Sequence, residues 1–245
     1  MAARILLALA FFLLWETAAD RGWIDSFFFS SPSRLGRLFL SMWRDGSLFL
    51  HVGITLTETL VSFALVVVIG LAVSLLLWLS DSVFQVLEPY LVILNSLPKS
   101  ALAPLLIVWL GANSRTIIVA GMSVAIFGTI LNLYTGFTET SREKIRLIYT
   151  LHGTKIDALT KVVLPSTVPM IISIMKVNIG LCLVGVVIGE FIGARNGLGY
   201  LIIYGSQVFQ LDLVILSILI LCLMAMLLYG GVTAAEKLYH RRQHA

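Results

Sequence analysis

The chain has 245 residues, 59% of them hydrophobic and 12% charged, with a formal net charge of +4 and a mean hydropathy of +0.99. That balance excludes an ordinary soluble domain, whose core cannot hide so much apolar surface, and points to a bilayer. The two cysteines, Cys182 and Cys222, both fall in apolar stretches and read as small hydrophobes, with no support for a disulfide or metal site. No basic run interleaved with aromatics suggests nucleic acid.

A helix needs roughly 20 mostly apolar residues to cross the hydrocarbon. Segments 54–79, 116–137, 167–192 and 211–232 reach that length; 5–19 and 101–111 are shorter, and the second extends if the stretch before it is helical. The pattern predicts an all-α integral membrane protein of about six spans forming one domain, 1–245. Its expected parts are a first span with an external interfacial segment (1–53), a core (54–232), a long polar loop within the core (141–165) and a tail (233–245).

At the start, Arg4, Ile5–Trp15 and Thr17-Ala18-Ala19 share the layout of a secretory signal, but Glu16 intrudes before the cleavage position, which favours a retained helix. After a turn at Ser30-Ser31-Pro32-Ser33, Leu35, Leu38, Phe39 and Met42 recur at helical spacing within 34–51, predicting an amphipathic interfacial helix. His51 reads as an interfacial histidine and nothing more. Thr55, Thr57, Glu58 and Thr59 open the second span and suit interhelical hydrogen bonds. Ser80-Asp81-Ser82 marks a helix stop and a new cap. Beyond it stand Pro89, Pro98 and Pro104. Each costs a helix interior about 3 kcal/mol, so 83–112 is expected as short pieces. Broken helices in a membrane line a cavity or are buried in protein, which makes this region either a pathway wall or a set of simple kinks.

With the N-terminus inside, loops 80–100, 138–166 and 233–245 lie on the cytoplasmic side. They and the N-terminus hold Arg4, Lys99, Arg142, Lys144, Arg146, Lys155, Lys161, Lys237, Arg241 and Arg242, against Arg21, Arg34, Arg37, Arg44, Arg115 and Arg195 outside. Ten against six agrees with the positive-inside rule. Half of the inner charges sit in the single stretch Ser141–Pro165. There Ile145, Ile148, Ile156, Leu159 and Val163, with His152, recur as in short helices with one apolar face. Gly153 can relax the backbone between them, and Pro165 marks the start of the next span. Such a loop is either a docking element or a solvated interfacial segment without a partner.

Its end, Lys161-Val162-Val163-Leu164-Pro165, resembles the end of the EAA loop of ABC importer permeases, roughly E-A-A-x3-G-x9-I-x-L-P. Arg146-Leu147-Ile148 stand where Glu-Ala-Ala is expected, and His152 takes the glycine position, with Gly153 one place later. The rest of the chain is similar to the nitrate/sulfonate/taurine-type permeases, in order. The similar segments are Leu14-Trp15-Glu16 through Phe27-Phe28-Phe29 and Ser31-Pro32-Ser33, then Leu97-Pro98-Lys99-Ser100-Ala101-Leu102-Ala103-Pro104 with Trp109-Leu110-Gly111. Leu131-Asn132-Leu133-Tyr134-Thr135-Gly136, Gly189-Glu190-Phe191 and Gly197-Leu198-Gly199-Tyr200-Leu201 follow.

The resemblance implies a type I ABC importer permease in a bacterial inner membrane, with both termini cytoplasmic. Two permease chains, as a homodimer or a heterodimer, would form the pathway. Two ATPase subunits would hold ATP and Mg, an external binding protein would deliver the solute, and the chain itself would bind no cofactor and contact only lipid besides these partners. The loop would be the coupling helix, with Leu151, His152, Gly153, Thr154, Lys155, Asp157, Lys161 and Pro165 as its ATPase-coupling residues. Pathway or gate candidates are Pro98, Lys99, Asn132, Lys176, Asn178 and Glu190. Glu190 either lines an outer vestibule or is solvated or paired with Arg195. Lys176 either snorkels to the cytoplasmic surface or faces the pathway, and Asn178 points to another side of the same helix. A G-x-x-x-x-G-K-[ST] phosphate loop, H-E-x-x-H, C-x-x-C and G-x-S-x-G are all absent from the sequence. The rival readings are a stand-alone secondary transporter or channel, which predicts an internal repeat and mid-membrane charges, and a membrane-embedded enzyme, which predicts converging His, Asp or Glu. Small anions and heterocyclic vitamin precursors are both compatible with the resemblance as solutes.

Overall fold

The computed structural model describes residues 2–243. All regular structure among them is helical: α1 (Ala2–Asp20), α2 (Ser26–Phe29), α3 (Pro32–Arg44), α4 (Ser47–Leu79), α5 (Asp81–Ser96), α6 (Lys99–Leu110), α7 (Ser114–Thr138), α8 (Arg142–Thr150), α9 (Lys155–Ala158), a π-turn (Leu159–Val163), α10 (Leu164–Gly193), α11 (Leu198–Gln207) and α12 (Leu211–Gln243). Four stretches are long and apolar enough to cross a membrane: Ser47–Leu79, Ser114–Thr138, Lys155–Gly193 and Leu211–Lys237. α5 and α6, bent by 96° at their junction, make a fifth if counted as one span. The segment 5–19, expected as a further span, is helical within α1 but is not among these stretches.

The interfacial helix forms as α3, with Leu35 and Met42 buried and Leu38 and Phe39 packed beside them. It ends earlier than expected. Asp45 and Gly46, the latter at φ +80°, make the corner, and α4 starts at Ser47. Asp45 accepts both the hydroxyl and the N–H of Ser47, at 2.6 and 2.9 Å, and these bonds hold its carboxyl below the usual carboxylate range. At the other end, 233–243 is not a separate tail but continues α12. His244 and Ala245 lie outside the described residues, as do the side chains of Arg4, Arg241 and Arg242.

Two sequence expectations for 80–112 are corrected. Pro89 and Pro104 sit inside α5 and α6 without ending them. Only Leu97-Pro98 breaks the chain. That break does not lie in a surface loop either: the Lys99 ammonium rests 5.1 Å from the centroid of the Phe127 ring, midway along α7. Lys99 therefore leaves the inner-loop charge tally, which becomes nine against six.

The frame is the pair α7 and α10. A Cβ at Gly185 would lie 2.8 Å from Gly121 Cα and 3.0 Å from Ala120 O, and one at Gly121 would lie 2.6 Å from the Ser62 hydroxyl on α4. Backbones this close need glycine, and small residues are how helices associate in lipid, where burying apolar surface between helices gains little over leaving it against acyl chains. Around this pair, α4 and α7 bury Val66, Leu77, Ala125, Ile126 and Ile130 with Cys182 of α10. Replacing Gly185 by Val is expected to push α7 off α10 at a cost of about 1–3 kcal/mol, read as a lower thermal unfolding midpoint. Gly180→Val, where a side chain meets open space, leaves that midpoint unchanged.

Candidate functional site: a polar cavity, a glycine clamp and a basic loop

Between α5, α7 and α10 lies a cavity of about 420 Å³. Its polar wall consists of Asn95, Thr129, Asn132, Ser173 and Asn178. Asn178 donates to Thr129 Oγ1 at 2.7 Å, while the Thr129 hydroxyl proton goes to Ala125 O at 2.6 Å. Gly128 gives Asn95 its place, since a Cβ there would lie 3.2 Å from Asn95 Oδ1. Asn132 and Asn178, singled out in the sequence, are thus brought together, and Asn95, Thr129 and Ser173 join them unforeseen. Lys176 turns away from this cavity to pair with Glu236 of α12, so it neither snorkels free nor lines the wall. Lys99 donates to Leu94 O, and Pro98 caps α6 at the break.

A second assembly lies at the far end of α10. Glu190 is fully buried and makes no ion pair with Arg195 among the described residues. Its carboxylate accepts the Thr55 hydroxyl at 2.7 Å and the Gly199 N–H at 2.6 Å. Thr55 Oγ1 accepts the Leu198 N–H at 2.8 Å, and His51 Nδ1 the Gly197 N–H at 3.0 Å. Three successive amides at the start of α11 are therefore each capped by a side chain from α4 or α10. A side-chain acceptor suits that position because the first N–H groups of a helix lack partners within it. Gly197 at φ +113° and Gly199 let the carboxylate approach, as a Cβ on either would collide with it. His51 is consequently a structural ligand of this turn, not a free interfacial residue. Among the polar residues opening α4, Thr55 bridges helices, whereas Thr57 bonds back to Gly53 O at 2.7 Å. Glu58, also buried, borders a small polar cavity with Asn113, Ser114, Arg195 and Asn196.

The basic loop folds as α8, a tight turn, α9 and the π-turn. α8 ends in a Schellman arrangement, with Gly153 N donating to Ile148 O at 2.9 Å and His152 N to Tyr149 O at 3.0 Å. The left-handed position falls on His152, at φ +60°, the place where the EAA pattern has glycine. Gly153 serves instead by close approach, since a Cβ there would lie 2.9 Å from Ile148 O. Thr154 and Asp157 form a reciprocal capping box, and Lys161 binds Asp157 at 2.7 Å. Pro165 does not interrupt the helix because the π-turn precedes it, with Leu164 N reaching back to Leu159 O; such bulges take up local irregularity inside helices. Ala158, Leu159 and Val163 are buried against Trp78, Leu133 and Phe137. Lys155 lies over the Trp78 ring, 3.9 Å from Asp81. Leu147, Leu151 and Ile156 stay well exposed, at 59%, 70% and 64%.

Residues 66–243 match the family model for the binding-protein-dependent transport system inner membrane component. The chain belongs to this family of transport permeases. It is 30% identical over 229 residues to a probable ABC transporter permease of Haemophilus influenzae, covering 94% of this chain and 91% of the relative. It is 27% identical to the formylaminopyrimidine transport permease ThiX of Halalkalibacterium halodurans (92% and 90% covered) and 24% identical to the taurine transport permease TauC of Escherichia coli (91% and 83%). Its fold matches a chain of the inward-facing MetNI methionine ABC transporter, with a TM-score of 0.65 at 20% identity over 76% of this chain and 92% of that one. The protein is thus a multi-pass, all-α permease subunit homologous to the transmembrane components of ABC importers. In this permease the clamp gives a direct test. Glu190→Gln turns an amide N–H toward one of the donors that the carboxylate accepts, and is expected to destabilise the fold by about 1–3 kcal/mol. Faster hydrogen exchange at the Gly199 amide reads the effect locally.

Proposed function

We propose that the chain forms half of the translocation pathway of an ATP-driven importer, with the cavity between α5, α7 and α10 as its share of that pathway and the 141–165 loop as its ATPase dock. The observation that carries this reading is the loop's two-sided construction. One side is fastened to the ends of α4 and α7 through Trp78, Leu133 and Phe137. The other presents Leu147, Leu151 and Ile156 outward, beside the basic residues of α8. A force transmitter needs both a rigid root and a free face, so that nucleotide-driven closure shifts packed helices between two discrete arrangements. The exposed faces of α5 and α6 would meet a second copy of the permease, and an external binding protein would deliver the solute at the Glu190 end. ATP and Mg belong in this reading to the partner ATPase, since the chain carries no phosphate loop. Both termini and the loop then lie in the cytoplasm, in keeping with nine inner against six outer basic residues.

The expected outcome of Leu151→Asp with Ile156→Asp is loss of ATPase co-purification and of uptake, with the permease's own unfolding midpoint unchanged because both side chains are exposed. Pull-down from gentle detergent measures the first and thermal unfolding the second. Normal uptake by the double variant contradicts the assignment of the loop.

A further inference from the structure

The polar wall of the cavity has a fixed sense of donors and acceptors. The Thr129 hydroxyl proton is spent on Ala125 O, so Thr129 Oγ1 can only accept from Asn178. That turns one Asn178 N–H toward Thr129 and leaves its carbonyl oxygen, with the second N–H, as what this side chain can offer the cavity it lines. The Ser173 hydroxyl proton goes to Pro169 O at 3.0 Å, which leaves oxygen lone pairs there too. Asn95 and Asn132 add two further carboxamides, each with donors and an acceptor. Charges stand close by but are turned elsewhere: Lys176 is paired with Glu236, and Lys99 is held by Leu94 O and the Phe127 ring.

Taking the cavity as the pathway, we propose that its solute is neutral and carries hydrogen-bond donors beside acceptors, as on the edge of an amide, a ureide or an aminopyrimidine. An anion such as a sulfonate only accepts hydrogen bonds. It would meet the oxygens of Asn178 and Ser173 with no counter-charge, in a setting where an unpaired ion is costly to desolvate. A neutral heterocycle with an N–H next to a C=O satisfies both the acceptors of α10 and the amide donors of α5 and α7. If the partner in the membrane is a second copy, it repeats the same uncharged set across the pathway.

Saturation-transfer NMR on the full chain in lipid nanodiscs tests this, with cytosine as the neutral probe and ethanesulfonate as the anionic one. Cytosine is expected to receive transfer, weakened roughly tenfold by Asn178→Leu and by Asn132→Leu, while ethanesulfonate receives none. Asn132 is exposed, so its variant keeps the fold even if Asn178→Leu does not. Transfer to ethanesulfonate in place of cytosine, transfer to neither, or cytosine transfer insensitive to Asn132→Leu overturns the proposal. The pathway reading is scored separately, by ATP-dependent thiol labelling of a cysteine placed at position 132: its absence counts against that reading, whereas its presence beside a negative probe result rejects the solute class alone.

Discussion

The close approach of α7 and α10 is the constraint on which the other features depend. Gly121 and Gly185 allow backbone to lie against backbone, and in a bilayer such packing contributes what apolar burial cannot. Toward one end, Gly189 fits against Ile117 and Ala120 and delivers Glu190 to the start of α11. Toward the other, Gly136 receives Met170, just above the buried root of the basic loop. The cavity opens between these fixed points, where Asn132 and Ser173 replace the close contact. Contacts on either side of the cavity hold the two helices together, while their outer ends carry Glu190 and the root of the basic loop.

Charge is used sparingly and locally. Arg34 is tied to Asp212 at 2.8 Å, Lys176 to Glu236, and Glu190 to two donors and a helix start. Each joins segments distant in sequence, which suits ion pairs and charge-assisted hydrogen bonds whose alternatives in lipid are poor. Fastening ionisable groups to the frame keeps them out of the cavity, where only amides and hydroxyls remain.

Much of this was legible in the sequence. The long apolar runs set the main spans, the spacing of Leu35, Leu38, Phe39 and Met42 set α3, and the order of short motifs carried the family. What escaped was tertiary. Lys176 finds its partner sixty residues away in the next long helix, and no local pattern announces that pairing. Glu190 stood beside a glycine-rich segment, but its partners are the hydroxyl of Thr55 on a distant helix and a backbone amide, which has no letter in a sequence. Pro165 suggested a boundary, whereas a π-turn upstream carries the helix through it. Pro98 and Pro89 look alike in sequence, yet only the first breaks the chain, while the second sits inside α5. His152 in place of glycine argued against the loop motif, but the histidine adopts the backbone conformation that glycine would supply.

The most direct test of the account is the accessibility of a cysteine at position 132, in a chain whose Cys182 and Cys222 have been replaced by serine. The chain is assembled with its ATPase subunit in nanodiscs and labelled with a small membrane-impermeant thiol reagent, with and without ATP. If the cavity is the pathway and the basic loop drives it, the labelling rate at 132 changes by an order of magnitude between the two conditions, as expected when nucleotide shifts a two-state population. A rate that is the same with and without ATP would contradict it.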